Sequence, residues 1–587
     1  MKKMILNTEY NRKQIIQVIL SVAILLFVYL WQIKDLTHAA ILNDEFGYWG
    51  IAASLTGTDW SDLLHATPYY SYGYSLLLVP LFWMNISSAL MYQIGIILNT
   101  CFVLASFFLC ISCGKKMFPD IRFECLVTLS LTVNLYTNTI VMAKVNWSET
   151  LLYLMFWVIF WWMLKILENP KIINIICFII SNFYLYAIHQ RCIGVLIASA
   201  LFLLVLCLVK HFKLRDIIIM LFCAAILFTL HSIFKTYIQE HIFVTESMIE
   251  INDYSGQIEN IKYLFGSLEG FKCLLKSICG KLFYLGTATF MVALTCAWDT
   301  LLQTIYCCKQ FFTEKNFDNK FFQNMSGFFL FLSFGGTFLI NSISMNNADA
   351  RLDVLVYGRY MEFAIGPVLL IGIIVFLEKA SMYLTELEAI LILVLSGIVN
   401  NVLMKVPVSD FNGICSTTFY YFFQERSQVD VAYFIAHVII IFGFIIAFIN
   451  IIQRKFKITT IEVLPCLLLA CGWLFLSNND MIYGYQQVYE RSLYSIEEAI
   501  DYLGDDKNVY YLEDDTIQDP FYISLKFFQH RFKDMHVSII NSIEEIPKED
   551  WNDCYVITDY NYTSTEQLMK THKLITLSRR LCLYGNY

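Results

Sequence analysis

Two adjacent acids, Asp44 and Glu45, stand in "ILNDEFGYWG" (41–50), just beyond an apolar run over about 15–33. An ionisable side chain at membrane depth is costly unless solvated or paired, so it is read first as functional. Neighbouring helical residues point about 100° apart, so these two cannot share one face. One is expected to face a cavity while the other caps or pairs. Asn43 or Asp44 could equally cap the helix that follows. Tyr48 and Trp49 come within the next turn. Their rings could line a sugar or lipid site, or pack at the membrane interface.

Three further stretches carry the same kinds of residue. "MAKVNWSETL" (142–151) holds Glu149, with Lys144 close enough to pair with it and Ser148 or Asn146 able to cap. "AIHQRCIG" (187–194) holds His189 and Arg191. An arginine there could snorkel to headgroups. It could also grip a phosphate through two parallel N–H bonds, which a lysine does less well. "NNADARLDVLVYGRYMEF" (346–363) is the densest cluster, with Arg351, Asp353, Arg359, Tyr360 and Glu362, and with Gly358 to bend the chain. Two arginines and three acids exceed what anchoring a span end needs. Cations for phosphate, rings for sugar faces and a carboxylate for proton removal together suit an anionic, lipid-linked substrate.

The elements that must position these residues are membrane helices. Of 587 residues 58% are hydrophobic and 15% charged, against about 45–50% and about 25% in soluble domains. The net charge is -8, and residues 481–587 carry eighteen acids against ten bases, so all of the excess acidity lies in the tail. That points to a separate, water-exposed domain. A nucleic-acid partner is excluded, because its binding surface would be basic. Most of the 18 cysteines sit in apolar runs, and "CISC" (110–113) is a lone pair, so no disulfide framework is expected, nor a metal or redox site at that pair.

The first apolar run follows Lys2, Lys3, Arg12 and Lys13 and lacks a small-residue cleavage site. It reads as an uncleaved helix with a cytoplasmic N-terminus. Further runs centre near residues 100, 131, 158, 179, 200, 222, 293, 332, 370, 394, 440 and 467, which gives thirteen spans. Alternate turns read "GKK", "KILENPK", "KHFKLR", "KQFFTEK", "EK" and "QRKFK"; all but "EK" are basic or carry several bases, as the positive-inside rule expects of the cytoplasmic side. The tail is then outside, with Asp44, Glu149, His189 and Arg359 all on outer loops. Within the first outer loop (34–88), "HATPYYSYGYSLLLVPLFW" is too short in its apolar part to cross and reads as a re-entrant or juxtamembrane helix. A long outer loop is expected over 233–280. The fold class is thus mainly α, a polytopic helical bundle of thirteen spans over 1–479, followed by a small extracytoplasmic α/β domain over 480–587. Strands are expected at 508–514, 535–541, 554–560 and 573–578, and helices at 519–532 and 564–572.

The order of these parts resembles a family. A first helix is followed by "DE", a short aromatic-proline helix, a span ending in "GKKMF", an outer glutamate, "HxR" and a late "YGRY" before a helix. This resembles the GT-C membrane glycosyltransferases, in particular the protein O-mannosyltransferase and lipid A aminoarabinose transferase branch. The resemblance implies a plasma-membrane enzyme that takes a sugar from a polyprenyl-phosphate donor and passes it, with inversion, to a cell-envelope acceptor hydroxyl on the outer face. It implies Asp44 as the catalytic acid of the first loop, Glu45 as its motif partner, Glu149 as a second outer acid, and Arg191 and Arg359 as phosphate ligands. Lys144, His189, Arg351, Tyr360, Tyr48 and Trp49 complete the expected substrate-binding set. No cofactor is fixed, and a divalent cation is left open. The "YYSYGYS" stretch departs from the family's proline-rich form, with only Pro68 ahead of it. A transporter or flippase of lipid-linked glycans is the alternative; such proteins often show internal repeats and midplane broken helices, and no clear repeat is visible. A polymerase usually relies on an arginine-rich outer loop, whereas 233–280 has lysines and no arginine.

Overall fold

The structure is a computed structural model. It describes residues 11–585 apart from 41, 65–66, 68, 85, 244–256, 315–316, 347–350, 380–381, 407–410, 425–429, 457–462, 478–479, 505–506, 514–521, 561–567 and 579–580. Lys2, Lys3, Pro68 and Asp349 therefore lie outside the described residues.

Each of the thirteen apolar runs falls on a helix. Sparse glycine and proline leave long runs of good helix formers uninterrupted. Caps mark several starts: Asn11 and Gln14 form a reciprocal capping box at Arg12–Leu30, and Ser87 accepts the Leu90 amide at Ser88–Met117. The count of thirteen spans is not reached on length and composition. Among the described residues eight helices are long and apolar enough to cross a membrane, and two bent pairs raise this to ten. The pairs are Leu268–Ala288 with Val292–Thr313, bent by 113°, and Leu352–Glu362 with Ile365–Glu378, bent by 85°. Phe123–Val133, Ile172–Ile188 and Leu464–Leu476 are apolar but shorter. The expected loop over 233–280 is largely helical: Leu214–His241 runs into it, and Gln257–Gly266 and Leu268–Ala288 follow.

Helix direction fixes two ends of the bundle. Ser88–Met117 carries Tyr92 in its second turn and Lys116 in its last, about 36 Å apart at 1.5 Å per residue. Glu149–Glu168 runs antiparallel to it, and Lys116 pairs with Glu168 at 2.5 Å. Glu149 is therefore at the Tyr92 end. The first loop covers this end with Leu42–Leu55, Ser61–Leu64 and Ser75–Phe82. The last of these is the short helix expected within 65–83.

The C-terminal part begins with the long amphipathic helix Asp480–Leu503. Five strands follow: β1 (Asn508–Leu512), β2 (Val537–Ile540), β3 (Cys554–Asp559), β4 (Lys573–Leu577) and β5 (Leu581–Gly585), in the order β2-β1-β3-β5-β4. β1 pairs in parallel with β2 and β3, while β5 is antiparallel to β3 and β4. Helix Ile523–Arg531 makes the crossover between β1 and β2. Four strands match the sequence expectation, and β5 was not anticipated. Of the helix expected at 564–572, residues 564–567 lie outside the described residues, and 569–572 form a turn and bend.

This domain sits on the first loop. Trp60 Nε1 donates to the Lys533 carbonyl (3.1 Å), Ser88 Oγ to the Arg531 carbonyl (2.8 Å), and the Ile539 amide to Asp62 Oδ2 (2.9 Å). The buried Lys526 donates from Nζ to Asn43 Oδ1 at 3.0 Å. His530 packs edge-on against Trp49 and Tyr92, and His38 against Phe527.

Candidate active site

Leu42–Leu55 carries both acids in its first turn, where the helix dipole favours negative charge. They diverge as neighbouring helical positions must. Glu45 is fully buried and turned to the scaffold: its Oε2 accepts the Ala40 amide (2.7 Å), and its Oε1 accepts the Tyr92 hydroxyl (2.7 Å) and the Asn146 amide (2.8 Å). It thereby ties the first loop to Ser88–Met117 and to the turn before Glu149. Asp44 faces the other way and keeps 14% of its side chain exposed. Its Oδ1 accepts from the Tyr70 hydroxyl at 2.7 Å, and its Oδ2 from Arg359 Nη1 at 2.6 Å.

Close backbone approaches bring the partners in. Gly73 donates its amide to the Ala187 carbonyl at 2.7 Å, and a Cβ there would stand 2.7 Å from the Ile188 nitrogen. Only glycine lets the "YYSYGYS" stretch lie so tightly on the end of Ile172–Ile188. That helix stops at His189, which is extended, and its Nδ1 accepts the Arg191 amide at 3.3 Å to open the 3₁₀ turn Gln190–Cys192. Burial, then Arg191 and Arg359, push the His189 pKa well below its ordinary value, so it stays a neutral acceptor. Gly358 lies where a Cβ would meet the Tyr284 ring at 1.9 Å, and its amide donates to the Cys415 carbonyl at 2.9 Å. Arg359 opens the short helix Arg359–Glu362, which ends at the 85° bend into Ile365–Glu378.

The result is a buried chain of alternating charge. Arg359 bridges Asp44 and Glu149, reaching Glu149 Oε1 from Nε at 2.7 Å. Arg191 Nη2 pairs with Glu149 Oε2. Both guanidinium planes lie on rings: Arg359 is 3.7 Å from the centre of Trp147, and Arg191 is 4.5 Å from that of Tyr360. Arg191, Arg359 and Glu149 are each at most 5% exposed. Buried ion pairs repay their desolvation only partly, and such networks inside membranes mark functional sites. Arg191 Nε and Nη1 are buried and have no hydrogen-bond partner among the described residues. Orphaned charged donors of this kind call for an anionic acceptor.

The remaining expected residues divide. Tyr48 is beside the cluster, donating to Ser148 Oγ at 2.8 Å. Ser148 occupies the capping position of Glu149–Glu168 without bonding its backbone, so the side-chain cap that Ser148 could supply does not form. Tyr360 and His189 are in the cluster. Lys144 does not pair with Glu149; it is buried and donates to the Trp31 carbonyl at 2.8 Å. Arg351 pairs with Asp353 and is half exposed, outside the chain of charge. Trp49 is buried under the C-terminal domain instead of lining the site. Tyr70 and Trp147 contact the charged groups and were absent from the expected set. Tyr70 lies within the "YYSYGYS" stretch and Trp147 within "NWSE", where neither ring carries a signal of its own. Glu362, fully buried, accepts from Tyr136 (2.6 Å) and Tyr284 (3.0 Å).

No family model matches the sequence, and no curated protein matches it. Solved structures do. ArnT from Cupriavidus metallidurans in the apo state aligns over 97% of this chain and 98% of its own, with a TM-score of 0.51 at 12% identity. ArnT from the same organism bound to undecaprenyl phosphate gives 0.48 at 11% identity, over 97% and 98% of the two chains. An apo oligosaccharyltransferase from Archaeoglobus fulgidus gives 0.38 at 9% identity, over 93% of this chain and 69% of its own. From its first membrane helix to its C-terminal sheet, the chain has the fold of ArnT, the GT-C architecture that its sequence resembles.

Proposed function

We propose that this chain is a membrane glycosyltransferase that moves a sugar from a polyprenyl-phosphate donor to an acceptor hydroxyl at the outer membrane face. The observation that carries the reading is the buried Asp44–Arg359–Glu149–Arg191 chain, in which Arg191 Nε and Nη1 have no hydrogen-bond partner among the described residues. The loop charges support the reading that this end of the bundle, and the C-terminal domain with it, faces away from the cytoplasm.

The donor phosphate takes the open edge of Arg191 and draws Arg359 from Asp44. Asp44, the most exposed member of the chain, is then free to take the proton of the acceptor hydroxyl. The acceptor oxygen forms its bond to the anomeric carbon as the bond from that carbon to the phosphate oxygen breaks. The transition state is oxocarbenium-like, as in other glycosyl chemistry. The lipid phosphate leaves with the electron pair, the two guanidinium groups stabilise its charge, and the anomeric centre inverts. Glu149 keeps both arginines in place, and Glu45 is a positioning residue for the helix that carries Asp44. Among the described residues no three His, Cys, Asp or Glu side chains gather to hold a metal ion. Asp44 and Glu149 each already face a guanidinium, so this donor set fits an anion better than a cation, and the steps above use none.

The test is reconstitution with polyprenyl-phosphate-linked sugars, following release of the lipid phosphate in wild type and Asp44→Asn. The variant is expected to bind donor and release no phosphate. Full activity in Asp44→Asn would remove Asp44 as the base. A transporter would move the lipid-linked sugar intact, with no phosphate released in either protein.

A further inference from the structure

A second site lies at the other end of the bundle. A groove of about 660 Å³ opens there between Arg12–Leu30, Ser88–Met117 and Phe123–Val133. Ile15, Val18, Ile19, Phe108 and Ile111 line its length, and Lys115 and Lys116 stand at its rim. Ile15, Ile19 and Phe108 are about half exposed, at 48%, 60% and 50%. They lie on helices that read as membrane spans, so the solvent they meet is lipid.

The rim sets what kind of lipid. Lys116 is taken by Glu168. Lys115 is exposed and makes no ion pair with any described residue. Glu124, on the helix Phe123–Val133 that flanks the groove, accepts from Gln14 Nε2 at 2.9 Å. Arg12, Lys13 and Arg122 flank the same end of these helices. A long apolar trough that ends at an uncommitted ammonium group matches an acyl chain that ends at a phosphate. Basic pockets between helices on one membrane side are known to take anionic head groups.

We propose that this groove is a binding site for an anionic glycerophospholipid, with an acyl chain along Ile15, Ile19 and Phe108 and the headgroup phosphate on Lys115. The site is distinct from the one proposed for transfer. Lys116 stands about 36 Å along Ser88–Met117 from Tyr92, and Tyr92 bonds the residue next to Asp44.

Delipidated full-length protein, titrated with phosphatidylglycerol or with phosphatidylcholine and read by native mass spectrometry, tests this. One phosphatidylglycerol is expected to be retained in preference to phosphatidylcholine. Lys115→Gln should weaken that retention about fivefold, the contribution of one lysine near an anionic headgroup. Ile15→Trp should abolish it by filling the groove, and this position is exposed enough to leave the core intact. A photoactivatable phosphatidylglycerol should label wild-type peptides from 12–20 and 108–123, which keeps the test alive if a variant does not fold. Equal retention of the two lipids, retention unchanged in both variants, or labelling elsewhere would overturn the proposal. None of these outcomes bears on lipid-phosphate release at the other end, so the two readings fail separately.

Discussion

Glu149→Gln keeps the shape of the side chain and removes the charge that two buried arginines share. Glu149 accepts from Arg359 at 2.7 Å and pairs with Arg191. Deleting one partner of a buried ion pair costs about 3–5 kcal/mol, because the other charge stays buried without compensation. Arg359 keeps Asp44, whereas Arg191 keeps no carboxylate among the described residues. The cluster goes from neutral to a net charge of one. An anion on the open edge of Arg191 then no longer feels the repulsion of Glu149. At about 7 Å and an effective dielectric of about 20 that repulsion is about 2 kcal/mol, or roughly thirtyfold in affinity. The variant is therefore expected to melt earlier, to lose transfer, and to bind undecaprenyl phosphate more tightly. Thermal unfolding and a binding titration on purified protein in detergent read all three with a transfer assay. Unchanged melting would refute the buried-pair energetics. Unchanged or weaker phosphate binding in folded variant would refute the placement of the anion on Arg191. Should Glu149→Gln not fold, Arg191→Lys keeps the charge and removes the forked donors, and weaker phosphate binding is expected there.

Glu45→Gln leaves the Ala40, Asn146 and Tyr92 donors with a neutral acceptor; a stability loss of about 1–3 kcal/mol is expected in unfolding, and unchanged stability would refute the positioning role. Gly73→Ala drives a Cβ to 2.7 Å from the Ile188 backbone, costing about 1–3 kcal/mol and loosening the Tyr70 segment in hydrogen exchange. Docking of the C-terminal domain is expected to weaken in acid. Burial, with Arg531 nearby, lowers His38 to about 4, and burial with His38 and Arg531 lowers His530 to about 3, so both are neutral when docked and protonate more readily when released. Glu497 opposes them: burial raises it to about 7, with Arg531 lowering it and Glu490 and Asp501 raising it, so it binds a proton more readily when docked. Two histidines against one glutamate leave a net loss of about 1.4 kcal/mol per pH unit as pH falls from about 6.5 to 4.5. Limited proteolysis across that window reads it, and His530→Phe should remove the slope; protection that is flat with pH would refute it.

Much of this was legible in the sequence because membrane helices announce themselves by composition. The adjacency of Asp44 and Glu45 ruled out a shared helix face, and the structure gives one acid to the scaffold and the other to Arg359. Local reasoning failed where tertiary partners compete. Lys144 is near Glu149 in sequence, yet Trp31, 113 positions away, offers the nearer acceptor. Arg351 is eight residues from Arg359, and the turn Leu352–Val356 sends it to Asp353 instead. Trp147 is hidden from any pattern, since an indole under a guanidinium looks like any other buried ring until Arg359 is seen on it. The span count is not settled by hydropathy, because apolar helices as short as Phe123–Val133 are not told from a full crossing by composition alone.

The bond from Lys526 to Asn43 joins positions 483 residues apart. It bears on how the protein is made. Asn43 leaves the ribosome early and Lys526 near the end of synthesis, so the helix bearing Asp44 waits for its last support until almost the whole chain exists. Contacts of such sequence separation form slowly. A nascent chain halted before Lys526 would carry every charged residue of the cluster and still lack this bond to the helix that bears the first of them.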